Sequence, residues 1–182
     1  MAYAVSLLFN AEVANAISTR WQRLADAGIS RSMLDLGYQP HVTLAVFDDL
    51  DADVAAAALD IIFNDVVCLD VSLSGIATFG AASGVCYAAL APSPDLIRLH
   101  AATLAAIHAT CRPHYQAGRW TPHCTLAMNL SDADVDRARS LLERDWRPLT
   151  GTFERADFVE FAPVTGIKRW TLRGSYRSTR TL

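Results

Sequence analysis

Pro40-His41-Val42-Thr43-Leu44-Ala45 and Pro122-His123-Cys124-Thr125-Leu126-Ala127 are one phrase written twice, at an offset of 82 in residue number. Each proline follows a polar residue and, before that, an aromatic: Tyr38-Gln39 in the first copy, Trp120-Thr121 in the second. The likeness continues downstream. Phe79 stands to His41 as Phe161 stands to His123, and the pairs Gly84 with Gly166 and Leu90 with Leu172 keep the same offset. At ordinary residue usage a Pro-His-x-Thr-Leu match arises at on the order of one position in 10⁵. Two copies with equally spaced landmarks therefore indicate an internal duplication. Its period is too long, and its copies too few, for a solenoid.

The segments around the repeat follow the same plan. Residues 2–9 are apolar and suited to a strand; residues 12–27 place Val13, Ile17, Trp21 and Leu24 at helical intervals and close on Gly28. A motif strand at 36–47, an Ala-rich helix at 51–63 opened by aspartates, and strands at 66–79 and 85–91 complete the first half. The second half repeats it, with helices at 94–111 and 132–145, a motif strand at 120–128, and strands at 149–161 and 167–176. The expected fold is α+β and bilobal. Each lobe is a mainly antiparallel sheet backed by helices, related to the other by a pseudo-twofold, with a cleft between them. Because one site is shared, residues 1–182 are expected to form a single domain, with repeats at approximately 1–91 and 92–182.

Composition narrows the class. The chain has 182 residues, 52% apolar and 19% charged, with net charge −3 and a mean hydropathy of +0.18. It can bury a real core and is not intrinsically disordered. No global basicity marks a nucleic-acid coat or a membrane-adhering protein. Four scattered cysteines (Cys68, Cys86, Cys111, Cys124) show neither CxxC pairs nor zinc-finger spacing, which favours a reducing compartment. Ala14-Asn15-Ala16 mimics a signal-peptidase site, but no basic residue precedes Arg20 and Glu12 interrupts the region. The expectation is a cytoplasmic monomer with no membrane association.

In a strand, residues i and i+2 share a face. His41 and Thr43 then project together, as do His123 and Thr125, while Val42, Leu44, Cys124 and Leu126 face the helices. Across a pseudo-twofold, two imidazoles and two hydroxyls converge. With an ordinary pKa of roughly 6.5, one imidazole can take a proton while the other gives one. The hydroxyls can bind the non-bridging oxygens of a phosphodiester. Metal binding through the two histidines is the weaker alternative, because no Asp, Glu or Cys recurs at matching spacing. His100, His108 and His114 are expected to be structural or surface residues.

Two His-x-Thr motifs, one in each half of a duplicated chain of this size, resemble the two-histidine (2H) phosphoesterase superfamily, which includes 2′–5′ RNA ligase-like proteins and cyclic nucleotide phosphodiesterases. The resemblance spans essentially the whole chain. It implies metal- and cofactor-free action on 2′,3′-cyclic nucleotides, related cyclic phosphates or 2′–5′ linkages at a nucleotide or RNA end. It further implies His41 and His123 as catalytic groups, with Thr43 and Thr125 holding phosphate. One departure is visible. The ligase-like branch commonly continues its second motif as His-x-Thr-Leu-x-Arg, whereas Met128 stands here, and a thioether cannot replace a guanidinium on phosphate. That counts against RNA end joining. A nucleotide-binding module without turnover is the other alternative.

A substitute cation is sought in the last strands, where Lys168, Arg169, Arg173, Arg177 and Arg180 occur without an acidic residue after Thr165. With Leu90 and Leu172 facing the core, alternation puts Tyr87, Arg169, Thr171 and Arg173 toward the cleft. Tyr87 and Arg169, separated by the repeat offset, would face each other from opposite lobes. Tyr87 would stack on a base, and Arg169 and Arg173 would bind phosphate. Phe79 and Phe161 are expected in the core, and Tyr38 and Trp120 against the site.

Overall fold

The computed structural model describes residues 1–80, 83–161 and 163–174. Its strands are β1 (Ala2–Phe9), β2 (His41–Asp48), β3 (Leu69–Thr78), β4 (Cys86–Leu90), β5 (His123–Ala127), β6 (Leu149–Phe161) and β7 (Thr165–Thr171). Its helices are α1 (Ala11–Asp26), α2 (Ser32–Asp35), α3 (Ala52–Phe63), α4 (Pro94–Ala106) and α5 (Asp132–Glu143). All strands join one antiparallel sheet in the order β2-β1-β6-β3-β4-β5, with β7 also paired to β6.

Local chemistry accounts for the element ends. Asp51 caps α3 by accepting from the amides of Asp53 and Val54, both at 3.1 Å, and Ser93 and Ser131 cap α4 and α5 by accepting from Leu96 and Asp134. The helices bury Val13, Ile17, Trp21 and Leu24 from α1, Ala55, Leu59 and Phe63 from α3, and Val135, Ala138 and Leu142 from α5. Helix α4 is shorter than the sequence suggests. It stops at Ala106, Ile107 turns extended, and Cys111 bridges to Phe47 beside β2.

The pairing displays the duplication directly. Asp70 on β3 pairs with Thr152 on β6, and these two positions are separated by the repeat offset. An antiparallel pair of equivalent residues is what a local twofold axis between β3 and β6 produces. Each half then reads strand, helix, strand, helix, strand: β4 lies between β3 and β5 as β1 lies between β6 and β2. The pairing thus groups β4 with the second half and puts the join in the turn after β3, earlier than residues 91–92. Strand β7 has no counterpart among the described residues. Arg169 on β7 is therefore not the fold equivalent of Tyr87 on β4; the repeat offset carries Tyr87 back to Val5 on β1.

The described part of the last strand ends at Thr171 rather than Tyr176, and Tyr176, Arg177 and Arg180 lie outside the described residues. Cys86, Cys111 and Cys124 are free, buried thiols. Among the described residues no helix is long and apolar enough to cross a membrane.

Candidate active site

The edge strands β2 and β5 come against each other, and the two indoles beside them mark the approach. Trp120 Nε1 donates to the Thr43 carbonyl at 2.9 Å, and Trp21 Nε1 donates to the Thr125 carbonyl at 3.1 Å. Each motif threonine thus has its outward carbonyl satisfied by a tryptophan reaching in from elsewhere in the chain. Alternation along β2 and β5 matches the sequence reading. Val42, Leu44, Cys124 and Leu126 are buried, while His41, Thr43, His123 and Thr125 keep partial exposure. All four of the latter line one cavity of about 210 Å³, together with Ser6, Tyr38, Tyr115 and Met128.

The two imidazoles are held alike. His41 Nδ1 lies 2.7 Å from the Gln39 carbonyl and His123 Nδ1 lies 2.7 Å from the Thr121 carbonyl. A carbonyl oxygen only accepts, so Nδ1 carries the proton in both rings and each Nε2 lone pair is left for chemistry. The proline after Gln39 or Thr121 favours the extended backbone that turns this carbonyl back to the ring.

Their electrostatics differ. Burial in the cleft lowers the His41 pKa to about 4; the nearby His123 adds to the shift, whereas the Gln39 carbonyl and Asp157 oppose it. His123 is lowered too, by burial, against the pull of the Thr121 carbonyl. Cys124, between His123 and Thr125, is no competing nucleophile, because burial pushes its thiol up to about 12.

A polar chain supports the β2 side. Ser6 Oγ is 3.4 Å from Thr43 Oγ1. Tyr38, whose ring centroid is 4.7 Å from that of His41, donates its hydroxyl to Asp157 at 3.0 Å. Asp157 is 3% exposed and receives both Nε and Nη2 of Arg169 at 2.6 Å. This pairing raises the Arg169 pKa, and burial beside Asp157 pushes the Tyr38 hydroxyl well up. Arg169 therefore faces the way alternation says, but its fork is committed to Asp157 and it does not line the cavity. Replacing Asp157 by alanine leaves the Tyr38 hydroxyl and the Arg169 fork unpaired. The expected cost is about 1–3 kcal/mol, read as a lower urea midpoint at unchanged slope.

The remaining sequence candidates separate. Tyr87 is buried, stacked on Phe79 at 4.3 Å, with its centroid 5.1 Å from the His123 ring; it backs the site, and the ring available to solvent is that of Phe79. Phe79 is 44% exposed rather than core, and its ring meets His123 edge-on at 4.8 Å. Phe161 is partly buried against Ala4, Val46 and Val159 and also lines the cavity, with Tyr38 and Val164. Arg173 pairs with Asp65 at 2.5 Å, beyond the end of α3. Alternation does not carry it to the cleft because β7 ends at Thr171. Met128 stands in the cavity wall where the ligase-like pattern has arginine, and Val46, at the same place in the first motif, lines it as well. His100 is structural, 4.1 Å from the Trp120 ring and bonded to the Tyr115 carbonyl at 2.9 Å.

Ser6 and Asp157 escaped the sequence reading. Ser6 is a lone hydroxyl inside an apolar strand, Asp157 is one of several charged residues in its strand, and nothing local says that the two strands lie side by side.

A family model described as the 2′-5′ RNA ligase superfamily matches residues 10–163. No curated protein sequence matches the chain. Among solved structures, E. coli LigT complexed with 3′-AMP is similar with a TM-score of 0.64 and 20% identity, over 93% of this chain and 97% of LigT. TT0787 of Thermus thermophilus has a TM-score of 0.63 and 17% identity, over 97% of this chain and 100% of that one. Usb1 of Kluyveromyces marxianus has a TM-score of 0.51 and 13% identity, over 91% and 97%. Identities this low speak to the fold.

Proposed function

The chain belongs to the 2′-5′ RNA ligase superfamily, within the two-histidine phosphoesterases, and on that premise we propose that it is a metal-independent phosphoesterase opening 2′,3′-cyclic nucleotides, related cyclic phosphates or 2′–5′ linkages. The observation that carries this reading is the convergence of His41, Thr43, His123 and Thr125 on one cavity, with neither Nε2 hydrogen-bonded among the described residues. LigT has been crystallised with 3′-AMP, NADP+ and ATP, which supports a nucleotide as the substrate class.

His41, the more strongly acidified imidazole, serves as the base. Its Nε2 takes a proton from water, and the water oxygen bonds to phosphorus. The bond from phosphorus to the 2′ or 3′ oxygen breaks, and protonated His123 delivers a proton from Nε2 to that oxygen. Thr43 and Thr125 donate to the non-bridging oxygens as charge builds there. With no arginine at position 128, hydrolysis is favoured over end joining.

Among the described residues no group of three or more His, Cys, Asp or Glu side chains could hold a metal ion. The test is turnover of 2′,3′-cyclic mononucleotides and 2′–5′ dinucleotides with EDTA present. Activity should survive the chelator; its abolition would overturn the mechanism. Tight nucleotide binding with no product after long incubation would favour a binding module.

The pH dependence follows from the two shifts. The active form needs His41 neutral, as it is above about pH 4, and His123 protonated, as it is below a pKa already lowered from 6.5. kcat/KM should therefore fall with rising pH across the neutral range, approaching about tenfold per pH unit. A profile that rises from pH 6 to 8 would overturn the requirement for one neutral and one protonated imidazole.

A further inference from the structure

A second cavity, of about 570 Å³, adjoins the first and shares Tyr115, His123, Thr125 and Met128 with it. It opens on the His123 side only; His41 and Thr43 are not among its walls, which otherwise include Phe79, Ser83, His114, Arg119, Trp120 and Thr121. Two features give it a chemistry of its own. Phe79 offers a ring already held in place by Tyr87 beneath it, so a base can stack there without ordering a loose side chain. Arg119, moreover, is the one arginine lining either cavity among the described residues, and no carboxylate lines either.

Several other cations are already engaged. Arg23, Arg112, Arg169 and Arg173 are each paired with an aspartate, and Lys168 with Asp60. Arg119 lines a concave wall beside a phosphate-handling histidine with no described acid facing it there. A guanidinium so placed suits a phosphate, which its planar fork binds with two hydrogen bonds. Because Arg119 does not line the cavity holding His41 and both threonines, the charge assigned to it is not the scissile phosphate but one farther along the ligand.

We propose that the larger cavity is a second anion subsite, in which Arg119 binds a phosphate one nucleotide away from the reacting one. The inference rests on the proposed reading of the first cavity as the site of the scissile phosphate, and it narrows the substrate class. The natural ligand carries at least two phosphates, as an oligonucleotide end or a 5′-phosphorylated cyclic nucleotide does.

The experiment is equilibrium binding, which needs no turnover. Adenosine 3′-monophosphate and adenosine 3′,5′-bisphosphate are titrated into the wild-type protein, Arg119→Gln and Arg119→Lys. The bisphosphate should bind about ten- to a hundredfold more tightly to the wild type, with the advantage shrinking as salt rises. Arg119→Gln should erase that advantage while changing monophosphate affinity far less, and Arg119→Lys should restore part of it. Equal affinities in the wild type, or an equal loss for both nucleotides in Arg119→Gln, would overturn the subsite. A protein that shows the preference yet hydrolyses no cyclic phosphate keeps the subsite and loses the proposed reaction; hydrolysis without the preference does the reverse.

Discussion

Replacing His41 or His123 by alanine should lower kcat on a 2′,3′-cyclic nucleotide by about 10²–10⁴-fold for either residue, with little change in thermal midpoint. Each ring is anchored through Nδ1 to the carbonyl two residues before it and presents Nε2 to the cavity, so its removal takes away a proton carrier and one local hydrogen bond. The double variant should be no slower than the slower single variant by more than a small factor, because base and acid act on one bond exchange as a unit. Two single losses that multiply in the double variant would mean that the rings work at separate sites. If neither substitution affects turnover, the two-histidine mechanism is wrong.

The second large effect concerns stability. Gly84 and Gly166 stand one repeat offset apart in the sequence, yet the structure gives them unlike surroundings. Gly84 sits at φ +61°, and a Cβ there would lie 2.7 Å from the Leu130 carbonyl oxygen. That oxygen cannot retreat freely, because the Leu130 amide donates to the Gly84 carbonyl at 3.0 Å and ties the entry of β4 to the segment leaving β5. Gly166 lies in β7 with nothing near its would-be Cβ. Gly84→Val combines a left-handed backbone with a backbone clash, and should cost about 4 kcal/mol or more. In a chain of this size that corresponds to a fall of about 10 °C in thermal midpoint. Gly84→Ala brings the same Cβ contact without the extra methyl groups and should cost about 2 kcal/mol or more, and Gly166→Val should stay within about 0.5 kcal/mol of the parent. Equal effects at the two glycines would mean that the close approach to Leu130 is not made in solution.

These two cases show which links of the chain from sequence to function were open to reading. The two motif strands were legible because their information is local. A proline sets the residue before it, a period of two sets the faces, and a duplicated phrase supplies the partner strand without any knowledge of the path between them. The caps of α3, α4 and α5 were legible for the same reason. The cleft's surroundings were not. Repeat arithmetic aligned Tyr87 with Arg169, but Tyr87 stands on the first strand of the second half and Arg169 on a strand with no described counterpart. Strand alternation carried Arg173 toward the cleft, yet β7 ends before it and Asp65 takes its charge. Arg119 and His114, in the stretch between α4 and β5, follow no periodicity at all.

The amino-acid sequence alone determined the duplication, the α+β class and the four side chains that meet at the site, since each depends on contacts within a few residues or on identity between two copies. Only the tertiary structure decided that Asp157 occupies Arg169, that Phe79 rather than Tyr87 is the accessible ring, and that Arg119 lines a cavity with His123. Those outcomes depend on which distant strands and loops become neighbours. Burial and charge pairing are properties of the packed sheet, and no short stretch of chain carries them.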